Sequence, residues 1–238
     1  MIDALRQHLH SLQRPPGLED TGHLPFGIAG IDGILGGGLA RGALHEIAAS
    51  NEPHAAAASG FVLGLAALAG KHLAWIAEDM TLAESGAIYG PGVAGFGLSP
   101  ERLLTVAAAH RRELLWAMEE ALRCRAVGTV IGEVRAGDID SVAVRRLSLA
   151  AAESGALALL LRVAPPRDAS TAATRWIVGA APSGKAAASF AAHLVRNRRG
   201  PAGSWILAWS DRDERFELAA HAQPVAAPPR HRPHRQVA

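Results

Sequence analysis

The run of apolar and polar positions along the chain predicts helices and strands in alternation. Met1–Arg14 carries Ile2, Leu5, Leu9 and Leu12 at spacings of three and four, an amphipathic helix that Pro15-Pro16-Gly17 ends. Phe26–Gly42 (FGIAGIDGILGGGLARG) sets glycines around Ile31, Ile34, Leu35 and Leu39, which fits either a surface turn or a specific entry segment. Leu44–Leu68 then reads as a strand, a tight loop and a helix. It is apolar and β-prone over Leu44–Ile47, punctuated at Ser50–His54, and Ala/Leu-rich from Ala55. Leu73–Ala77 predicts a second strand closed by Glu78 and Asp79, Ala87–Gly97 a glycine-rich crossover, and Leu103–Val106 a short strand. Over Arg111–Arg125 the residues Leu114, Leu115, Met118 and Leu122 form one helical stripe. Glu113, Glu119 and Arg123 fall away from that stripe, and Trp116 flanks it as a packing residue. Val127–Gly132 predicts a third strong strand ending at Glu133, and Asp138 is the expected N-cap of a helix over Ile139–Glu153. Leu157–Val163 is continuously apolar, as a strand covered on both faces must be. Trp176–Val178, Ala192–Arg196, Ser204–Trp209 and Phe216–Leu218 are further short strands.

Strands alternating with helices of about 12 or more residues predict an α/β fold with a doubly wound, mostly parallel sheet. The last third reads as C-terminal antiparallel strands. Three segments follow: residues 1–24 (amphipathic helix and connector), 25–220 (core domain) and 221–238 (a Pro/Arg/His-rich tail).

Composition adds limits. With 238 residues, 49% hydrophobic and 19% charged, the chain belongs with soluble globular proteins and can bury a sizeable core. No apolar run reaches the roughly 18 residues of a membrane span, and Met1–Pro16 lacks a signal-like apolar segment. The single Cys124 excludes an internal disulfide and a cysteine-based zinc site. A cytoplasmic location with no membrane contact is the expectation. The net charge of +2 is unevenly placed: the tail from His221 holds Arg230, Arg232 and Arg235 and no acid. The remainder carries 21 Lys/Arg against 22 Asp/Glu, so composition does not indicate a bulk polyanion-binding surface.

The strand–loop–helix at Leu44–Leu68 is where a mononucleotide-binding α/β protein keeps its phosphate loop. Such a loop needs glycines so that backbone N–H groups can surround phosphate, a Lys for charge, and a Ser/Thr hydroxyl for Mg²⁺. Here Ala49, Ser50, Asn51, Glu52, Pro53, His54, Ala55 and Ala56 include no glycine and no lysine, and Pro53 removes one N–H. Each lost charge-assisted contact is worth about 1.5–3 kcal/mol. The expectation is therefore no catalytic residue, no metal and no cofactor. A helix N-terminus still leaves weak anion binding open. Gly179–Ala186 (GAAPSGKA) matches a phosphate-loop spacing except for Ala186, yet too little chain follows to supply its partner strands; a hairpin turn fits it better. Glu78, Asp79 and Glu133 stand at strand ends where open α/β sheets place ligands, and read as residual groups once the phosphate site is lost. Arg196, Arg198 and Arg199 form the sharpest basic cluster of the core, either a solvated edge or a contact to a partner or nucleic acid. Arg230, Arg232 and Arg235 fit a disordered tail, a docking peptide or an electrostatic tether to DNA.

Gly30-Ile31-Asp32 with Leu35–Leu39 and Arg41-Gly42, leading into Leu44–Ile47, resembles the segment before the phosphate loop in the RecA superfamily. Leu73–Asp79 resembles the next core strand of that fold, and Arg196-Asn197-Arg198 its basic strand end, which reaches a neighbouring subunit's nucleotide. Closer still is the ImuA family. It is matched by Leu44–Ile47, Ala55–Gly60, Tyr89–Gly97, Glu113–Cys124 (ELLWAMEEALRC), Val130–Glu133, Arg145–Gly155, Thr174–Trp176 and Arg198–Trp205. The resemblance implies a RecA-like accessory protein of damage-inducible mutagenesis, acting in translesion DNA synthesis as a non-catalytic adaptor. Implied partners are an ImuB-type Y-family-like protein, an error-prone polymerase complex, RecA and DNA. The alternatives are an ATPase using ATP and Mg²⁺ at a degenerate or displaced site completed by Arg196 and Arg198 in trans, and a DNA-binding module.

Overall fold

Each expected strand forms, and all but one extend beyond their apolar kernels. The computed structural model describes residues 22–135, 137, 139–165, 171–183 and 188–219. The expected helix Met1–Arg14, the expected cap Asp138, Lys185, and tail residues Arg230, Arg232 and Arg235 lie outside the described residues. In chain order the elements begin with β1 (His23–Leu24), α1 (Ala29–Leu35), β2 (Leu39–Ala40), β3 (Ala43–Ala49), α2 (Ala55–Ala69), β4 (His72–Glu78), α3 (Asp79–Ser85) and α4 (Gly90–Ala94). They continue with β5 (Leu103–Ala108), α5 (Arg111–Arg123), β6 (Val127–Val134), α6 (Ser141–Ser154) and β7 (Leu157–Arg162). The chain closes with β8 (Thr174–Ala180), β9 (Ser189–Asn197), β10 (Gly203–Ser210) and β11 (Arg215–Leu218).

Nine strands form one sheet in the order β11-β10-β9-β8-β3-β7-β6-β4-β5. The six from β8 to β5 are parallel, and β9, β10 and β11 extend the sheet beyond β8, each antiparallel to the strand before it. β3 lies between β7 and β8 with every residue from Leu44 buried, so the chain's central strand is also the sheet's. One face packs against α2, where Ile47, Trp75, Leu159, Trp176 and Phe190 join Phe61 and Leu65. The other face of the parallel half is covered by α5 and α6 through Leu114, Met118, Leu122, Val144 and Leu147.

The Ala/Gly richness of α2 has a packing cause. All five phenylalanines and three tryptophans (Trp176, Trp205, Trp209) form one aromatic cluster against it, with ring centroids 5.1–6.3 Å apart. A Cβ added at Gly64 would lie 2.5 Å from the Phe216 ring and 3.1 Å from Trp209. Small residues on the helix are what let rings from β9, β10 and β11 reach its axis.

Three helices were not foreseen: α4, inside the glycine-rich crossover, and α1 and α3. α1 forms inside the glycine-rich entry segment, because Asp32 Oδ1 and Oδ2 accept from the Phe26 and Ile28 N–H groups at 2.8 and 3.1 Å. It ends on Gly36 at φ 72°, the left-handed conformation that glycine adopts without a Cβ clash. The entry segment is thus a specific structure, with Ile31, Leu35 and Leu39 buried. α3 follows β4 directly and begins at Asp79. α6 is also shifted from its expected bounds: Asp140, not Asp138, is the N-cap, its Oδ1 accepting from Val142 N at 3.2 Å.

Candidate functional site

β3 delivers the chain to the C-terminal end of the parallel strands, where the sequence placed a phosphate-type loop. Ser50 N donates to Val178 O at 2.8 Å, which carries the β3–β8 pairing one residue past the strand. Asn51 is extended, Glu52–His54 make a single 3-10 turn with Pro53 in its first positions, and α2 starts at Ala55. Ser50 Oγ and His54 Nδ1 are 2.6 Å apart. Both press on Gly179 of β8, where an added Cβ would lie 2.8 Å from His54 Nδ1 and 3.0 Å from Ser50 Oγ. Two of the loop's own side chains, Ser50 and His54, thus occupy the space beside Gly179. Backbone N–H groups that could meet an anion are those of the exposed turn and the first turn of α2, and Pro53 in the turn contributes none.

Two of the three surrounding carboxylates are engaged by the protein itself. Glu78 at the end of β4 pairs with Arg111 at 2.8 Å. Glu133, near the end of β6, accepts from Trp75 Nε1 at 3.0 Å. Burial pushes the Glu133 pKa up, against smaller downward pulls from the Trp75 hydrogen bond and the Arg135 charge. Asp79 is exposed in the first turn of α3. Among the described residues no three His, Cys, Asp or Glu side chains gather as a metal site.

Arg135, immediately after β6, was not singled out in the sequence and turns out to join three segments. Its guanidinium lies 3.2 Å from Glu52 in the loop, 3.2 Å from Glu84 in α3, and 2.5 Å from Ser85 Oγ. The signal that could have marked it is a lone cation two residues beyond Glu133, just past a buried strand.

The basic cluster sits elsewhere. Val178 pairs with Ala192, and Arg196 lies four positions further along β9, roughly 13 Å at 3.3 Å per residue, toward the opposite end of the sheet. Arg196 is partly exposed, and Arg198 and Arg199 are exposed. Arg198 donates to Thr171 O at 3.0 Å, and Asn197 Nδ2 donates to Ile34 O at 3.0 Å, tying this end of β9 to α1. Within one chain, therefore, the loop and the cluster are not brought together. The GAAPSGKA segment leaves β8 at Ala180 and leads into β9, which pairs antiparallel with β8. A strand follows it where a phosphate loop requires a helix.

A parallel sheet wrapped on both faces, with a loop–helix at its centre and antiparallel strands on one edge, is a RecA-like fold. The crystal structure of the RadB recombinase matches it with a TM-score of 0.60, covering 82% of this chain and 99% of that one at 16% identity. No family model matches the sequence. Two curated proteins, each named Protein ImuA, come from Caulobacter vibrioides strains NA1000 / CB15N and ATCC 19089 / CIP 103742 / CB 15. Each is 33% identical over 208 residues, covering 77% of this chain and 82% of theirs. The chain belongs to the ImuA family. Among the described residues no helix is long and apolar enough to cross a membrane.

Proposed function

We infer that this chain is a non-catalytic RecA-like accessory protein of damage-inducible translesion synthesis, an adaptor for an ImuB-type protein and an error-prone polymerase. RecA and DNA are the other candidate partners, and no nucleotide cofactor is required. One observation carries the reading. The central strand and α2 are held by a full core, while Ser50 and His54 fill the loop between them and no Lys or Gly is present there. Selection on ATP chemistry would have to keep the loop open and positively charged. A scaffold kept without that chemistry serves through its surfaces.

The reading predicts that the ImuB-type protein encoded in the same organism co-purifies with this chain at micromolar concentration, with or without ATP. Absence of any association would sink it. An ATPase site formed by this loop and the Arg196 and Arg198 of the same chain lacks support from the geometry, because those arginines stand apart from the loop.

A further inference from the structure

Trp116 was expected to pack, and Glu119 to face solvent. The structure reverses both. Trp116 is 58% exposed, whereas Glu119 is buried between Arg123 at 2.5 Å and Arg146 at 2.6 Å. Beside them α5 and α6 enclose a groove of about 790 Å³, within the size range of specific binding sites. Its apolar lining is Leu115, Ile139, Ala143 and Leu147, with Trp116 on the α5 side. On α6, Val142 and Leu149 stand 60% and 51% exposed at i and i+7, one helical face beside the groove. Large apolar side chains left in water on two adjacent helices mark an interaction surface more strongly than isolated ones do.

Charge selects no class of ligand here. Arg111, Arg112 and Arg146 in the lining are balanced by Glu113, Glu119 and Asp140. What an occupant can supply is cover for Trp116, Val142 and Leu149, so it must present an apolar stripe of matching length. Both helices descend from the carboxyl ends of the strands and finish at Arg123 and Ser154. At 1.5 Å per residue, Leu149 stands about 8 Å above that foot, Trp116 about 11 Å and Val142 about 18 Å.

The chain carries such a stripe itself. Residues 1–14 set Ile2, Leu5, Leu9 and Leu12 over about 15 Å of helix, with Asp3, Arg6 and Arg14 as their only acidic or basic side chains besides histidine. The place where the described chain starts favours this segment. Gly22 O accepts from Arg41 N at 3.1 Å, and Gly42 N donates to Ala156 O at 3.1 Å. One peptide unit and two hydrogen bonds therefore put Gly22 within about 10 Å of Ala156, two residues past the end of α6. From there residues 15–21 reach roughly 26–29 Å, enough for a 14-residue helix to end at the foot of the groove. The C-terminal segment 220–238 fits less well. It leaves from β11, at the far edge of the sheet, and its four prolines interrupt any helical stripe. A tether this short also gives residues 1–14 a local concentration on the order of millimolar, an advantage over any separate partner.

We propose that residues 1–14 seat their apolar stripe along the α5–α6 groove of the same chain, against Trp116, Val142 and Leu149. The inference goes beyond the adaptor reading and does not rest on it, because it concerns one chain only.

Hydrogen exchange of the full chain, read by mass spectrometry, tests the proposal. A 14-residue helix is marginal by itself in water, so protection of residues 1–14 reports docking. Exchange there is expected to be at least about tenfold slower than in Leu5→Asp/Leu9→Asp. In Trp116→Asp and in Val142→Asp it should rise to within about twofold of that released variant, with exchange over β3 and β7 unchanged throughout. A labelled peptide of residues 1–14 is expected to bind Leu5→Asp/Leu9→Asp at least about tenfold more tightly than the parent chain, whose groove is already filled. Three results would each overturn the proposal. Absence of protection leaves the groove to a partner protein, and protection that grows with chain concentration gives it to a second copy. Protection that survives both Trp116→Asp and Val142→Asp places the segment elsewhere.

Discussion

His45 on β3 shows how a single buried side chain couples the core to pH. Its Nε2 lies 2.9 Å from Ala40 O, which can only accept, so Nε2 carries the hydrogen. Nδ1 then accepts from the Thr174 hydroxyl at 2.8 Å, and Trp176 Nε1 donates to the same hydroxyl at 3.0 Å. Burial lowers the His45 pKa to about 4; the Ala40 carbonyl works in the opposite sense, and the Arg199 charge adds a push downward. The neutral ring is therefore native. Above the usual histidine pKa of 6.5 neither state binds the proton, and this group leaves stability unchanged. Between 6.5 and about 4 only the unfolded chain binds it, so stability falls with pH, by up to about 3 kcal/mol, and levels off below. Urea unfolding at about pH 7 and about pH 4.5 should show this loss, and His45→Asn, which cannot titrate, should flatten the slope. An identical slope in the variant would remove His45 from the account. Which side chains turn inward was the least legible feature at this scale. Trp116 and Glu119 border the same apolar stripe, and burial of the carboxylate is made tolerable by Arg123 of the same helix together with Arg146, supplied by another helix.

Among the elements, strands were legible because the sheet is covered on both faces. Leu157–Arg162 and Val127–Val134 are almost wholly buried, and burial on two sides leaves an unbroken apolar run. The short helices were not. α1 depends on Asp32 reaching back to two N–H groups, and α3 starts without a break from β4, so neither has room for a full amphipathic period. Arg135 links these short pieces through contacts that join the β3–α2 loop, α3 and the end of β6. Because Glu52 and Glu84 are well exposed, the ion pairs contribute little to global stability, about 1 kcal/mol or less together. Their effect is local. Arg135→Ala should leave the melting midpoint within about 3 °C of the parent while hydrogen exchange accelerates over Ser50–His54 and Asp79–Ser85. Unchanged exchange in both segments would show that the loop is held by its own Ser50–His54 contact alone.

For the whole molecule, the separation of the loop from Arg196, Arg198 and Arg199 decides what nucleotide binding would require. The loop belongs to the C-terminal ends of the parallel strands and the arginines to the other end of β9, so any joint site needs a second subunit. The fold class was readable from the alternation of elements, and the ImuA family from blocks such as Glu113–Cys124, yet this separation was not. It follows from the antiparallel pairing of β8 with β9, a long-range register that no local pattern states. Thermal melting with ATP and Mg²⁺ tests the consequence at all chain concentrations. A ligand that binds only the native state adds RT ln(1 + [L]/Kd). At about 5 mM ATP a Kd of about 10 µM would therefore add roughly 4 kcal/mol, or roughly 7–15 °C in a chain of this size. With the loop filled by Ser50 and His54, the expected shift is below about 1 °C. A shift of many degrees that appears only at high protein concentration and vanishes in Arg196→Ala would establish a nucleotide site between subunits and overturn the non-catalytic reading. A shift independent of concentration would place the nucleotide within one chain, at a position other than the loop.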